Sequence, residues 1–303
     1  MLMRVHIQKT AEKAGKVLAN LCRLMPNVGG PRERSRRMLC TVMESIIMYG
    51  ASIWGKAVTK EVHCKVLRSV QRNTAIRVVS AYRTASTSAL QAIARMPPID
   101  LLVEHRAAVE SQGGHSKDRE YRGIMAKWQA RWDTENGTAS WTRRLIKELQ
   151  PWCARAHGEV NFFLAQFLTG HGCFQSYLTH GEVNFFLAKF LTGHGSFQSY
   201  LKRFGLESSD ACLYCGGVDT VEHTFFECPR WSAQRARVKE TTGEINPDTV
   251  VPQMISSQKS WNAVDKMVRE ILSEKDSRHR RRDKMVREIL SEKDSRHRRR
   301  DEM

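Results

Sequence analysis

The chain has 303 residues, with 49 Lys and Arg against 32 Asp and Glu, for a formal net charge of +17. That length and a hydrophobic fraction of 41% suit one or two domains with real cores and solvated stretches between them. The longest apolar runs, such as Val160 to Ala165, fall far short of the roughly 20 residues a membrane-spanning helix needs, and Met1 to His6 holds no apolar leader. The expectation is a chain with no membrane segment, not secreted, working in the reducing nuclear or cytoplasmic interior, its eight cysteines reduced.

Charge is concentrated at the start. Residues 1–83 carry 16 Lys and Arg against Glu12, Glu33, Glu44 and Glu61, a local net of +12 that points to a polyanion, most simply nucleic acid; a solubilising lysine surface is the alternative. Ala14, Val17, Leu18, Leu21 and Met25 recur at helical spacing, with Lys9, Lys13, Lys16 and Arg23 on other faces. Pro26 and the Gly29-Gly30-Pro31 turn end that helix, and Pro31 suits the first position of the next. The second helix has its apolar stripe on Leu39, Val42, Met43, Ile46 and Ile47. Arg32, Arg34, Arg36 and Arg37 crowd its first turns, against the helix dipole, so they are candidate phosphate contacts. A third helix, capped by Thr59, runs through Leu67, Val70, Ile76 and Val79; Lys65, Arg68 and Arg72 extend the basic surface.

Thr87 or Ser88 opens a short helix that Met96-Pro97-Pro98 breaks, and Ile99 to Glu110 resumes. Residues 111–117 read as a loop. Trp128 and Trp132, four apart, dock a charged helix on the bundle, and Trp141 to Arg155 forms another helix in which Pro151 sets a kink. His157 to Leu178 recurs as His180 to Leu201, differing only at Gln166/Lys189 and Cys173/Ser196. Asp265 to Arg300 is one 18-residue unit repeated twice. Eighteen residues are five helical turns, so Met267, Val268, Ile271 and Leu272 align with Met285, Val286, Ile289 and Leu290; the tail reads as one long basic helix able to self-associate along that stripe.

The strongest motif lies between. Cys212 and Cys215 sit two residues apart, Gly216 and Gly217 permit a tight turn, and His223 and Cys228 lie five apart. Three thiolates and one imidazole make a closed tetrahedral set, the pattern of structural zinc, with no position left for a reacting water. Phe225, Phe226 and Trp231 supply its apolar cap. Tyr214 is the residue best placed to stack a base, with packing on the knuckle as the alternative.

Cys212-x2-Cys215-x7-His223-x4-Cys228, followed by Pro229-Arg230-Trp231, resembles the C-terminal zinc knuckle of non-LTR (LINE-type) retrotransposon reverse transcriptases. The segment Leu168-Thr-Gly-His-Gly172 with Phe174 and Tyr177-Leu178 is similar to the stretch preceding that knuckle. Pro26 to Pro31, Met48 to Trp54 and Val79 to Thr84 resemble the helical region after the polymerase palm, most like the arthropod type-I elements that insert into ribosomal RNA genes. The resemblance implies a mainly α chain: a basic helical thumb-like bundle (1–111), a charged linker and helix (112–156) and a duplicated connector (157–205). A CCHC zinc knuckle (206–235) and a basic tail (236–303) complete it. It implies a grip on element RNA or target DNA during target-primed reverse transcription.

No Asp-Asp pair occurs anywhere in the chain, so the metal-binding palm turn of that family is missing and no catalytic residue is expected. His171 and His194 sit between glycines without partners for catalysis, and no P-loop, nucleophile-elbow or zinc-protease motif is present. An inactive relic or a helix-mediated interaction module with only a structural zinc is the alternative.

Overall fold

The computed structural model describes residues 2–26, 30–111, 117–134, 137, 139–170, 197–203, 207–275 and 277. These residues are mainly helical, and the one β pairing among them is an isolated bridge, Ala211 with Val218. His171, His194, the 18-residue unit from Asp283 onward and most of the second connector copy lie outside the described residues.

Helix α1 (Leu2–Cys22) buries Ile7, Ala11, Ala14 and Leu18, a four-three-four spacing that keeps one face on the core. The chain turns through Arg23 and the buried Met25 into α2 (Glu33–Met48). Gly50, at φ +66, then reverses it into the single turn α3 (Ala51–Trp54) and a 3-10 turn, Gly55–Thr59. Gly55 lies so close to the next layer that an added Cβ would stand 3.1 Å from the Ala107 methyl. Helix α4 (Glu61–Val79) packs on both α1 and α2. Its first residue follows Lys60 as N-cap, and Thr59 falls in the preceding turn, so the expected threonine cap is not used.

Helix α5 (Thr87–Ala94) opens at Thr87, the first of the two expected positions, and is capped by Ser86, whose hydroxyl accepts from the Ala89 N–H at 3.1 Å. Prolines 97 and 98 end it by removing N–H donors, and the buried Gln71 amide repairs the gap. Its nitrogen donates to the Pro97 carbonyl at 2.7 Å, and its oxygen accepts from Gln91 at 2.8 Å and from the Ile99 N–H at 3.0 Å. Helices α6 (Ile99–Ser111) and α7 (Lys117–Thr134) form the next layer, with Trp128 and Trp132 both buried.

The single helix expected from Trp141 to Arg155 is two, α8 (Ser140–Leu145) and α9 (Leu149–Ala154). Pro151 cannot donate to the carbonyl one turn before it and crowds that carbonyl, so the helix stops and restarts with proline in its first turn. Helix α7 satisfies the break. Trp132 donates to the Ile146 carbonyl at 2.8 Å, Gln129 to the Lys147 carbonyl at 2.9 Å, and the Gln129 oxygen accepts from the Leu149 N–H at 2.8 Å.

Helix α10 (Phe162–Thr169) is capped by Asn161 and closed by Gly170 at φ +74. Helix α11 (Gln198–Arg203) follows. The described connector thus draws its beginning from the first copy and its end from the second. Lys189 replaces Gln166, whose side chain is fully buried in α10, so the first copy avoids burying an ammonium there. After the cysteine and histidine loop come α12 (Ser232–Thr242), α13 (Val250–Ser256) and α14 (258–275).

Side chains from Ile7 through Leu272 form one hydrophobic cluster, to which bundle, connector, knuckle and tail all contribute. The expected self-association stripe is used inside the chain: Met267, Val268, Ile271 and Leu272 are buried in that cluster. For the first copy of the repeat the reading of a free apolar face is therefore corrected.

One buried carboxylate ties the layers together. Glu33 accepts from Arg37, from Arg95 at 3.3 Å and from the Val160 N–H at 2.6 Å, with Arg155 at 3.9 Å. The Arg155 guanidinium lies 3.9 Å from the Trp152 ring centre and 5.0 Å from that of Trp261. Its burial there lowers the Arg155 pKa to about 9.

Candidate metal centre and the basic surface

The backbone of residues 210–219 folds into a knuckle because glycine allows it. Gly216 adopts φ +79, its N–H donates to the Cys212 carbonyl at 2.9 Å, and the Cys212 N–H donates to the Gly217 carbonyl at 2.6 Å. A Cβ on Gly217 would stand 3.2 Å from the His223 ring, so this position brings the histidine against the hairpin. His223–Glu227 forms a wide π turn, closed by the Cys228 N–H on the His223 carbonyl at 2.7 Å. That turn swings Cys228 back toward the cysteine pair.

The donor atoms of Cys212, Cys215, His223 and Cys228 all lie within 4.8 Å of one another. Cys212 and Cys228 sulfurs are 3.9 Å apart, Cys215 and Cys228 sulfurs 3.8 Å, and Cys215 Sγ is 3.2 Å from His223 Nε2. A disulfide needs about 2.05 Å. Sulfurs at about 2.3 Å from a central zinc stand about 3.8 Å apart in a tetrahedron, which matches the observed edges. The donor set therefore fits Zn²⁺, held by three sulfurs and His223 Nε2 in a closed, structural arrangement. Apart from any bound metal, the Gly217 N–H holds the Cys215 thiol below its ordinary range, while burial pushes the Cys228 thiol up to about 12. Elsewhere burial raises Cys40 to about 12 and Cys64 and Cys153 to about 11, the behaviour of inert packing thiols.

The knuckle is built into the fold. Phe225 and Trp231 are fully buried, and Phe225 meets Phe167 of α10 edge-on at 4.7 Å. Asp219, between the glycines and the histidine, is the main polar anchor. It takes the Lys275 ammonium at 2.7 and 2.9 Å, the Thr224 hydroxyl at 2.9 Å and the Gln198 N–H at 2.9 Å. Asp219 and Lys275 are 2% and 4% exposed, so the first 18-residue unit is clamped to the knuckle by a buried ion pair. Sequence reading missed this pair, and with 56 residues between its partners no local signal carries it.

The expected nucleic-acid contacts separate into two groups. Arg32, Arg34 and Lys65 are exposed, and Arg34 lies 4.0 Å from Glu159. Arg36 points inward and is 3% exposed; it donates to the carbonyls of Pro31 at 2.7 Å, Met25 and Arg77 at 3.2 Å each, and Pro26. Its expected role as a phosphate contact is corrected to a clamp that pins the α1–α2 turn to the end of α4. Arg36→Met should cost about 2–4 kcal/mol in a urea titration, because four carbonyls lose their donors, and leave the salt dependence of nucleic-acid binding unchanged. A stable variant with weakened binding would restore the phosphate role.

Arg37 serves Glu33 and the Ala94 carbonyl. Arg68 pairs with Glu61 at 2.7 Å, and Arg72 donates to Thr87 at 2.9 Å and to the Arg83 carbonyl. Tyr214 is half-buried and packs edge-on against the buried Trp231 at 5.2 Å, with Arg230 over its ring, the packing that the sequence offered as the alternative to base stacking.

No protein-family profile and no solved structure matches the chain. It is 26% identical over 204 residues to a Drosophila melanogaster protein described as "Putative 115 kDa protein in type-1 retrotransposable element R1DM". The match covers 59% of this chain and 20% of that protein, so the chain corresponds to about a fifth of its relative's length. Among the described residues no helix is long and apolar enough to cross a membrane. The similarity supports a retrotransposon-related protein.

Proposed function

We propose that the chain is a nucleic-acid-binding C-terminal region of a retrotransposon reverse transcriptase: a thumb-like basic bundle, a helical connector and a CCHC knuckle holding one structural zinc. It grips element RNA or target DNA during target-primed reverse transcription and does not itself polymerise. The observation that carries this reading is the net +12 of residues 1–83, with Arg32, Arg34 and Lys65 facing solvent, in a retrotransposon-related chain.

Binding of a labelled 20-nucleotide RNA, followed by fluorescence anisotropy across a salt series, tests it. Log affinity should fall linearly with log salt, by about 0.7 per phosphate contacted on a single strand. Affinity that stays flat, or that is absent at low salt, refutes the proposal. Primer extension with the same protein should incorporate no nucleotide.

A further inference from the structure

The outward face of α1 carries a line of cations. Lys9, Lys13 and Lys16 follow a four-three spacing on the side directly opposite the buried Ile7, Ala11, Ala14 and Leu18, and Arg23 continues it in the turn beyond. All four are exposed, and at 1.5 Å per residue the line extends about 20 Å. Among the described residues none of the four has an ion-pair partner; Glu12, the one acid of α1, lies on a neighbouring stripe and accepts from Gln8 at 3.0 Å.

Several cations elsewhere on the surface have acidic partners, although the exposed Lys60, Lys65, Lys259 and Lys266 make no ion pair among the described residues. Lys127 pairs with Glu104 at 2.7 Å, Arg131 with Asp100 at 2.7 Å, Lys147 with Asp248 at 2.9 Å, Lys202 with Asp210 at 3.0 Å and Arg230 with Glu274 at 2.6 Å. Lysines at i, i+4 and i+7 repel and weaken their own helix, and Glu12, three residues after Lys9 and four before Lys16, makes an ion pair with none of them among the described residues. Such a line gains from an external anion repeating along one direction. The knuckle has the opposite character: Glu207, Asp210, Asp219, Glu222 and Glu227 outnumber Arg230 between residues 207 and 231, and the metal with its thiolates adds a further negative charge.

Resting on the nucleic-acid reading above, we infer that the Lys9, Lys13, Lys16 and Arg23 face of α1 is the track for the phosphate backbone of one nucleic-acid strand, and that the acidic zinc knuckle is a structural clasp and no part of that track. Its lysines and arginine contact phosphate oxygens, which carry no sequence information, so RNA and DNA should both use it.

The test compares the full chain with Lys9→Gln/Lys13→Gln/Lys16→Gln, glutamine being a good helix former. A control, Lys127→Gln/Lys147→Gln/Lys202→Gln, removes the same charge from paired positions. Thermal melting and zinc content establish that both are folded. With single-stranded RNA and DNA of one sequence, the triple variant on α1 should lower the log–log salt slope by about 2, at 0.7 per lost contact, while the control shifts it far less. Wild-type binding with no salt slope would remove the nucleic-acid reading itself. A wild-type slope that the α1 variant leaves intact, or that the control lowers equally, overturns the track. A loss seen with only one sugar type also overturns it.

Discussion

Replacing Cys212 and Cys215 together by serine should remove the single zinc from each chain and, with it, the cooperative folding of the C-terminal half. The knuckle has almost no core of its own. Its sulfurs close a loop whose other ties are a few backbone hydrogen bonds and the Asp219 contacts. A structural zinc in so short a loop contributes on the order of 10 kcal/mol at neutral pH, and that binding energy is folding energy. Phe225 and Trp231 belong to the same cluster as Phe167, Val264 and Ile271, so losing the knuckle uncovers α10 and α14 as well. Metal analysis and amide hydrogen exchange would check this. Zinc should fall from one per chain to none, and protection should fall across 198–275 while α2 and α4 keep theirs. A variant without zinc that retains full protection in α14 would show that the metal is incidental to the fold.

The second large effect belongs to Lys275. Lys275→Met leaves the Asp219 carboxylate buried with only Thr224 and the Gln198 N–H, and should destabilise the chain by about 3–5 kcal/mol in urea unfolding. Adding Asp219→Asn should recover much of that loss, because a neutral amide can keep both contacts without an uncompensated charge. The single variant should also release zinc faster to a chelator, since Asp219 braces the segment between Gly217 and His223. A Lys275→Met chain as stable as wild type, or a double variant no better than the single, would mean the pair is solvated in solution.

The knuckle was legible because chelation is local: two cysteines at hairpin spacing, glycines and a His/Cys pair define the site within 17 residues, Cys212 to Cys228. The bundle helices were legible from periodicity, Ala14 and Leu18 on α1 and Leu67, Val70 and Ile76 on α4 all being buried as their spacing requires. The direction of each arginine was not, because composition counts charge and does not aim it. A signal for Arg36 did exist: with Cys40, Met43 and Ile47 it forms a four-three-four stripe, and that stripe is the buried one. Of the stripe read from the sequence, Met43 and Ile47 are buried and Leu39 and Ile46 pack against the core, while Val42 is exposed. Glu33 lies on the buried face as well, and its partners Arg95 and Arg155 come from segments 62 and 122 residues away. The sequence left Tyr214 open between stacking and packing; the folded turn brings Trp231, 17 residues on, against it.

X-ray absorption at the zinc edge on the purified chain tests the central claim most directly. A closed structural centre requires three sulfur scatterers at about 2.3 Å and one nitrogen at about 2.0–2.1 Å, at one zinc per chain. Oxygen in the coordination shell, fewer than three sulfurs, or a folded chain without zinc would contradict it.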